Sequence, residues 1–229
     1  MNILALDTSM GVCSAALQRI GGPAAQSVVR ETEMVRGHAE ALMPMVEDVL
    51  SAAGIAVHDL DRIAATLGPG SFTGVRIAIA AARGLALVSH AALYGADSLT
   101  VMARAAQQNG LIQVGPFAVG VDARRGMLYL GLYDAAGMRI EGPALYTPEE
   151  AAGLLPQGLG LAIGNGAGLL AEAAERQGRT LVTDLPALQP GALALAELAR
   201  ESTETNDIIR PLYLRPPDAK PQNTSLERR

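Results

Sequence analysis

A carboxylate followed by two hydroxyls, Asp7-Thr8-Ser9, ends the first apolar run of the chain. At the end of a buried strand such a group can hold a hydrated metal ion or a phosphate, since hard cations take oxygen ligands. The same residues serve equally well as turn chemistry, with Asp and hydroxyl side chains bonding the backbone next to them. A second cluster is Gly68-Pro69-Gly70-Ser71-Phe72-Thr73-Gly74-Val75-Arg76, a glycine-rich turn that opens a nearly all-apolar helix. Free N–H groups and the positive dipole end of a helix start can hold an anion, and Ser71 or Thr73 can cap that start. No Lys-Ser or Lys-Thr pair follows the glycines, so the turn is not a P-loop. A strand-to-helix turn built for packing explains the glycines as well.

Other chemistry is sparse. The histidines, His38, His58 and His90, form neither a His-Glu-x-x-His nor a His-x-x-x-His pattern, and no Ser sits in a Gly-x-Ser-x-Gly elbow. The single Cys13 lies in an apolar run, which excludes an internal disulfide, fits a reducing compartment and reads as a small hydrophobe rather than a nucleophile. A formal charge of −5 and a pI near 5.2 argue against a broad basic surface that binds nucleic acid alone, so any RNA work needs a partner's charge. The N-terminus has no positively charged leader pattern, and the longest apolar helix is broken by Arg83. The expectation is a soluble, cytoplasmic chain without a membrane span.

The elements that must position these residues follow from periodicity. Strands are expected over 2–7, 12–20 and through 28–31, then an amphipathic helix over 38–53 with Leu42, Met45, Val46, Val49, Leu50 and Ala53 on one arc and Gly54 as its C-cap. A strand over 61–67 leads into the glycine turn and the helix that runs to His90. Arg76 and Arg83 are that helix's only charges and, seven residues apart, share one face. Its remaining faces are apolar and thin, so it lies inside its own domain or lends a face to another protein. A strand over 92–96 and a helix to about Gln108 complete the first half.

Asn109-Gly110 marks a break, after which the plan repeats. A strand over 116–122 ends in Asp122, a second covers 127–133, and a third lies near 138–141. A helix starts at Pro148, a strand covers 159–163, and Gly164-Asn165-Gly166 turns into a helix through Arg176. A short strand at 181–182 and a helix over 192–201 follow. Two halves that each run strand, strand, strand, helix, strand, helix predict duplicated α/β units facing a cleft. We divide the chain into an N-terminal lobe, 1–105, a C-terminal lobe, 106–204, and a docking segment with a mobile tail, 205–229; the last helix could also return to the first lobe.

Five stretches carry a family resemblance: Leu6-Asp7-Thr8-Ser9, His38-Ala39-Glu40, the nine residues from Gly68 to Arg76, Asp122-Ala123-Arg124-Arg125-Gly126, and Pro211-Leu212-Tyr213-Leu214-Arg215. In this order and over nearly the whole chain they resemble the TsaB (YeaZ) family, a bacterial subunit of the machinery that makes threonylcarbamoyladenosine beside the tRNA anticodon. The resemblance implies an actin-like ATPase or sugar-kinase type fold of two similar α/β lobes, each a mixed sheet flanked by helices. It also implies a degenerate paralogue of TsaD, the transferase subunit. Where TsaD has two metal-binding histidines, this chain has Ser98 and Met102. Neither replaces an imidazole at such a metal.

The implied role is a non-catalytic dimerisation subunit with no cofactor or metal of its own. ATP and a metal belong to the partner subunits, TsaD and the ATPase TsaE, and tRNA is met only through the complex. The residues expected to face TsaD, or a second copy in an isolated homodimer, are His38, Leu42, Met45, Val49, Arg76, Ala80, Arg83 and Leu87. Asp7, Thr8, Ser9, Asp122, Gly164 and Asn165 are candidates for a vestigial nucleotide cleft. Two rival expectations stay open: an active ATPase or kinase of the actin-like superfamily using that cleft, and a metallopeptidase.

Overall fold

The computed structural model describes residues 1–21, 26–108, 110, 115–203 and 208–215. Gly22 and Pro23 of the expected turn, Asn109, and the expected mobile tail 216–229 lie outside the described residues. The first lobe contains β1 (Asn2–Asp7), β2 (Val12–Arg19), β3 (Gln26–Glu33), α1 (His38–Ala53), β4 (Arg62–Thr66), α2 (Phe72–Ser89) and β5 (Ala92–Ala96). After α3 (Ser98–Gln108) come β6 (Phe117–Asp122), β7 (Leu128–Tyr133), β8 (Arg139–Tyr146), α4 (Pro148–Gly153), β9 (Leu161–Ile163), α5 (Ala167–Arg176), β10 (Val182–Asp184) and α6 (Ala192–Glu201).

Both sheets have the same plan. The first runs β3-β2-β1-β4-β5 and the second, read from its other edge, β8-β7-β6-β9-β10. In each, the first three strands pair antiparallel and the last two join in parallel. This duplicated mixed sheet is the actin-like arrangement expected. Alternation along β1 explains how its sheet is covered on two sides. Leu4 and Leu6 enter the core under α1 and α2, whereas Ile3 and Ala5 face the core made with α6.

α6 crosses back. A boundary at 204 assigns it to the second lobe, but it packs on β1 and β2, with Ala192, Leu195, Ala196 and Ala199 fully or nearly fully buried against the first sheet. Its run of alanines lets the helix lie close to the small residues Ala5, Ala16 and Ala64. The guanidinium of Arg62 donates to the carbonyls of Ala199 and Ser202, tying the end of α6 to β4. α3 then lies between α6 and the second sheet, where Leu99, Met102, Ala103 and Ala106 join Phe117, Val119 and Tyr133.

β8 is longer than the expected strand near 138–141. Gly142-Pro143 reads as a breaker, but a shift of register opposite Leu130 and Leu132 accommodates it and pairing resumes through Tyr146. A Cβ at Gly142 would lie 2.4 Å from the Leu130 carbonyl oxygen, so only glycine fits there.

Candidate functional site

At the end of β1, Asp7, Thr8 and Ser9 are completely buried. The Ser9 hydroxyl donates to Asp7 Oδ1 at 2.7 Å and the Ser9 N–H reaches the same oxygen at 3.3 Å, a local turn bond. The Thr8 hydroxyl donates to the Gly74 carbonyl at 2.6 Å and accepts from the Ala78 N–H at 3.2 Å, so it is spent on α2. Ser71 caps α2, its Oγ accepting from the Gly74 N–H at 3.2 Å, while its own N–H donates to the Ser9 carbonyl at 2.7 Å. The glycine turn therefore closes over the residues that would have held a phosphate. It does not form a cradle.

Two polar groups in this layer lack a hydrogen-bond partner. Asp7 Oδ2 and Thr66 Oγ1 are both buried without a hydrogen bond. Burial pushes the Asp7 carboxyl up to about 6, against the opposing pull of the Ser9 and Thr66 hydroxyls. Thr66 is thus near enough to favour the charge electrostatically, although it is not in hydrogen-bond geometry.

The second lobe brings its three candidates together. The Asn165 side-chain oxygen accepts from the Asp122 N–H at 2.9 Å, and a Cβ on Gly164 would lie 2.5 Å from the Gly120 carbonyl oxygen. Asp122 Oδ1 accepts from the Arg124 N–H at 2.7 Å, within a turn whose Arg124, Arg125 and Gly126 all have left-handed φ. These residues make one loop cluster, but its bonds do not join the buried Asp7 network. The β1–β2 turn is occupied otherwise: Met10 packs with Leu185 and Leu188 against the α3 and second-sheet core, and the Gly11 N–H donates to Gln189 Oε1 at 3.0 Å. Of the six candidates for a nucleotide cleft, Asp7, Thr8 and Ser9 are buried in the first lobe, while Asp122, Gly164 and Asn165 lie together in the second.

Ser98 and Met102 are buried, Ser98 Oγ lies 3.3 Å from Ser9 Oγ, and Met102 belongs to the α3 core. Among the described residues no three His, Cys, Asp or Glu side chains come together as a ligand set.

The outward face of α2 is open. Val75, Ala78, Ile79 and Ala82 are buried under it, while Arg76, Ala80, Arg83 and Gly84 are exposed, with Leu87 at 80% and Val88 at 69%. By length and composition α2 could cross a membrane, yet its inner face is part of the first lobe's core. α1 lies beside it but does not present the residues expected. Leu42 and Val49 are 1% and 0% exposed in the core beneath α1, so neither can face a partner. Met45 is half-buried against the same core. The half-buried His38 ring is 3.1 Å from the Met10 carbonyl oxygen and fastens α1 to the β1–β2 turn. α1 instead exposes Met43, Pro44 and the acidic Glu40 and Glu47.

Sequence reasoning missed the other wall of this surface. The segment 208–215 runs beside α2, held by Ile209 in the core and by the Leu212 N–H, which donates to the Leu67 carbonyl at 2.7 Å. Tyr213 lies 5.7 Å from Phe72, ring centre to ring centre, and its hydroxyl accepts from Arg76 Nε at 2.8 Å. The signal was the apolar and aromatic content of the segment, which predicted docking but not its place.

A family model described as TsaD, tRNA N6-adenosine threonylcarbamoyltransferase, matches residues 28–167. The tRNA threonylcarbamoyladenosine biosynthesis protein TsaB of Escherichia coli K12 is 39% identical over 135 residues, covering 58% of this chain and 55% of that protein. The chain thus matches about half the length of that relative. The Haemophilus influenzae TsaB is 29% identical over 231 residues and 94% of both proteins. Among solved structures, one described as an uncharacterized protein with similarity to peptidase YEAZ from Pseudomonas aeruginosa has a TM-score of 0.78 at 34% identity, covering 93% of this chain and 99% of that one. YeaZ from Pseudomonas aeruginosa has a TM-score of 0.74 at 32% identity, covering 87% and 92%. With the same fold and shared sequence over nearly its whole length, this chain belongs to the TsaB (YeaZ) family.

Proposed function

We propose that the chain is a non-catalytic dimerisation subunit in the formation of threonylcarbamoyladenosine on tRNA, docking the TsaD transferase subunit through α2. The observation that carries this reading is the contrast between the two surfaces. The β1 end is sealed by α2's own glycine turn, whereas the far side of α2 leaves Leu87, Val88, Ala80 and Gly84 in solvent. Thin residues at Ala80 and Gly84 let a second helix approach closely, and Leu87 and Val88 supply apolar area. The names of the relatives support the pathway.

In this reading ATP and a metal ion serve the partner subunits TsaD and TsaE, and tRNA is met through the complex, in keeping with the net charge of −5. Without TsaD, the same face pairs two copies of the chain. The buried Asp7 network weighs against an ATPase or kinase that uses that carboxylate.

The test is sizing of the chain mixed with TsaD from the same source, followed by threonylcarbamoyl transfer to tRNA with and without it. A stoichiometric complex, transfer that depends on the chain, and an inert chain alone are expected. Independent activity of the chain, or normal association of Ala80→Glu, overturns the reading.

A further inference from the structure

Pro211 and Tyr213 face Arg76, Ile79, Ala80 and Arg83 across a groove of about 340 Å³ beside the exposed face of α2. The floor is apolar, but two guanidinium groups stand in its lining. Arg76 is held in place, its guanidinium stacked 3.6 Å from the centre of the Phe72 ring and its Nε bonded to the Tyr213 hydroxyl. That leaves its terminal nitrogens without a partner among the described residues. Arg83 is exposed and has no ion pair among the described residues, and α2 itself carries no acidic residue.

We propose that this groove receives a carboxylate side chain carried on an apolar helix of the protein that docks on α2. The proposal rests on the docking reading above and adds the chemistry of the partner and the part played by segment 208–215. A carboxylate can accept two parallel bonds from a guanidinium fork, which fixes the register of the incoming helix as well as its charge. A fork already stacked on Phe72 and tethered by Tyr213 loses little freedom when it binds. A phosphate could use the same two arginines. Ala80, Gly84, Leu87 and Val88 around them, on a chain of net charge −5, favour the acidic side chain of a protein over a nucleic-acid backbone.

The experiment is stopped-flow association of the full-length chain with TsaD at low and high NaCl. It compares wild type with Arg83→Glu, Arg83→Lys, Tyr213→Phe and, as a docking control, Ala80→Glu. All three positions are exposed, and unchanged circular dichroism verifies the fold. Arg83→Glu is expected to slow association about tenfold at low salt and to flatten its salt dependence, because charges at an interface act mainly on the encounter rate. Arg83→Lys should keep the salt dependence, and Tyr213→Phe, which frees Arg76, should raise the dissociation rate about threefold.

If Ala80→Glu abolishes binding while Arg83→Glu and Tyr213→Phe behave as wild type, docking on α2 survives and the carboxylate groove is overturned. Wild type that fails to bind TsaD overturns both. Arg83→Glu that leaves TsaD association intact but weakens binding of an RNA oligonucleotide assigns the groove to phosphate and overturns the proposal.

Discussion

Thr8 and Gly74 are in direct backbone contact: the Thr8 hydroxyl donates to the Gly74 carbonyl, and a Cβ on Gly74 would lie 2.0 Å from the Thr8 carbonyl oxygen. One turn earlier, a Cβ on Gly70 would lie 2.2 Å from the Ser9 carbonyl oxygen. The glycines of the signature are therefore spaced to let α2 rest on the end of β1. That contact is what buries Thr8 and Ser9.

Gly74→Ala should destabilise the fold by about 3 kcal/mol, because the methyl meets backbone that cannot turn aside. Gly84→Ala, with open space around its Cα, should raise stability by about 0.5–1 kcal/mol through helix propensity. Urea unfolding of the two variants checks both. Equal effects would mean that the β1 contact yields more easily than its geometry implies.

The Asp7 carboxyl, pushed up to about 6 by burial, sets a pH dependence. Unfolded, the same group titrates near 3.9. Between these values the folded chain binds the extra proton, so the stability contributed by neutral Asp7 falls as pH rises from about 4 through about 6 and stays low above. Asp7→Asn removes the buried charge and can donate an N–H toward Thr66 Oγ1. Its stability relative to wild type should be near zero at pH 4 and reach about 3 kcal/mol by pH 8. A difference that does not change with pH would show that Asp7 titrates normally.

Much of this architecture is legible in the sequence because it depends on local periodicity. Leu4 and Leu6 alternate with Ile3 and Ala5, and each α/β half ends its first strand in an Asp, Asp7 or Asp122. Which face of an apolar helix is free is not local information. Leu42 and Val49 look like contact residues on α1 because they form its apolar stripe, and that same stripe is what the first sheet buries. On α2 every face but that of Arg76 and Arg83 is apolar, so only the packed structure separates Ala78 from Ala80. The side of the sheet taken by α6 and the pairing of Tyr213 with Arg76 are long-range events, and 137 residues separate the latter two.

Core and docking face should separate cleanly by mutation. Leu42→Ala removes a fully packed side chain and should cost about 2–5 kcal/mol of folding stability. Leu87→Asp alters a solvent-exposed position and should change stability by no more than about 0.5 kcal/mol while abolishing association with TsaD. Thermal denaturation and sizing of each variant give the comparison. Loss of folding in Leu87→Asp would place that side chain in the core rather than on a docking face.

Asp97 joins the two lobes through the start of α3. Its carboxylate, 8% exposed, accepts the Thr100 N–H at 2.9 Å, the Thr100 hydroxyl at 2.7 Å and Arg139 Nη1 at 2.8 Å. Thr100 Oγ1 in turn lies 3.2 Å from the hydroxyl of buried Tyr133 on β7. Asp97→Ala removes a helix cap and a charge-assisted bond at once and should cost about 3 kcal/mol. Arg139→Ala should cost only about 1 kcal/mol, because its side chain is 46% exposed and solvent replaces part of what it loses. In a double-mutant cycle the two should couple by about 1 kcal/mol, since removal of Asp97 leaves Arg139 nothing to hold. Additive effects would show that the lobes are held by the α3 core alone. Coupling would mean that the ion pair between Asp97 and Arg139 helps hold β8 of the second sheet to the start of α3.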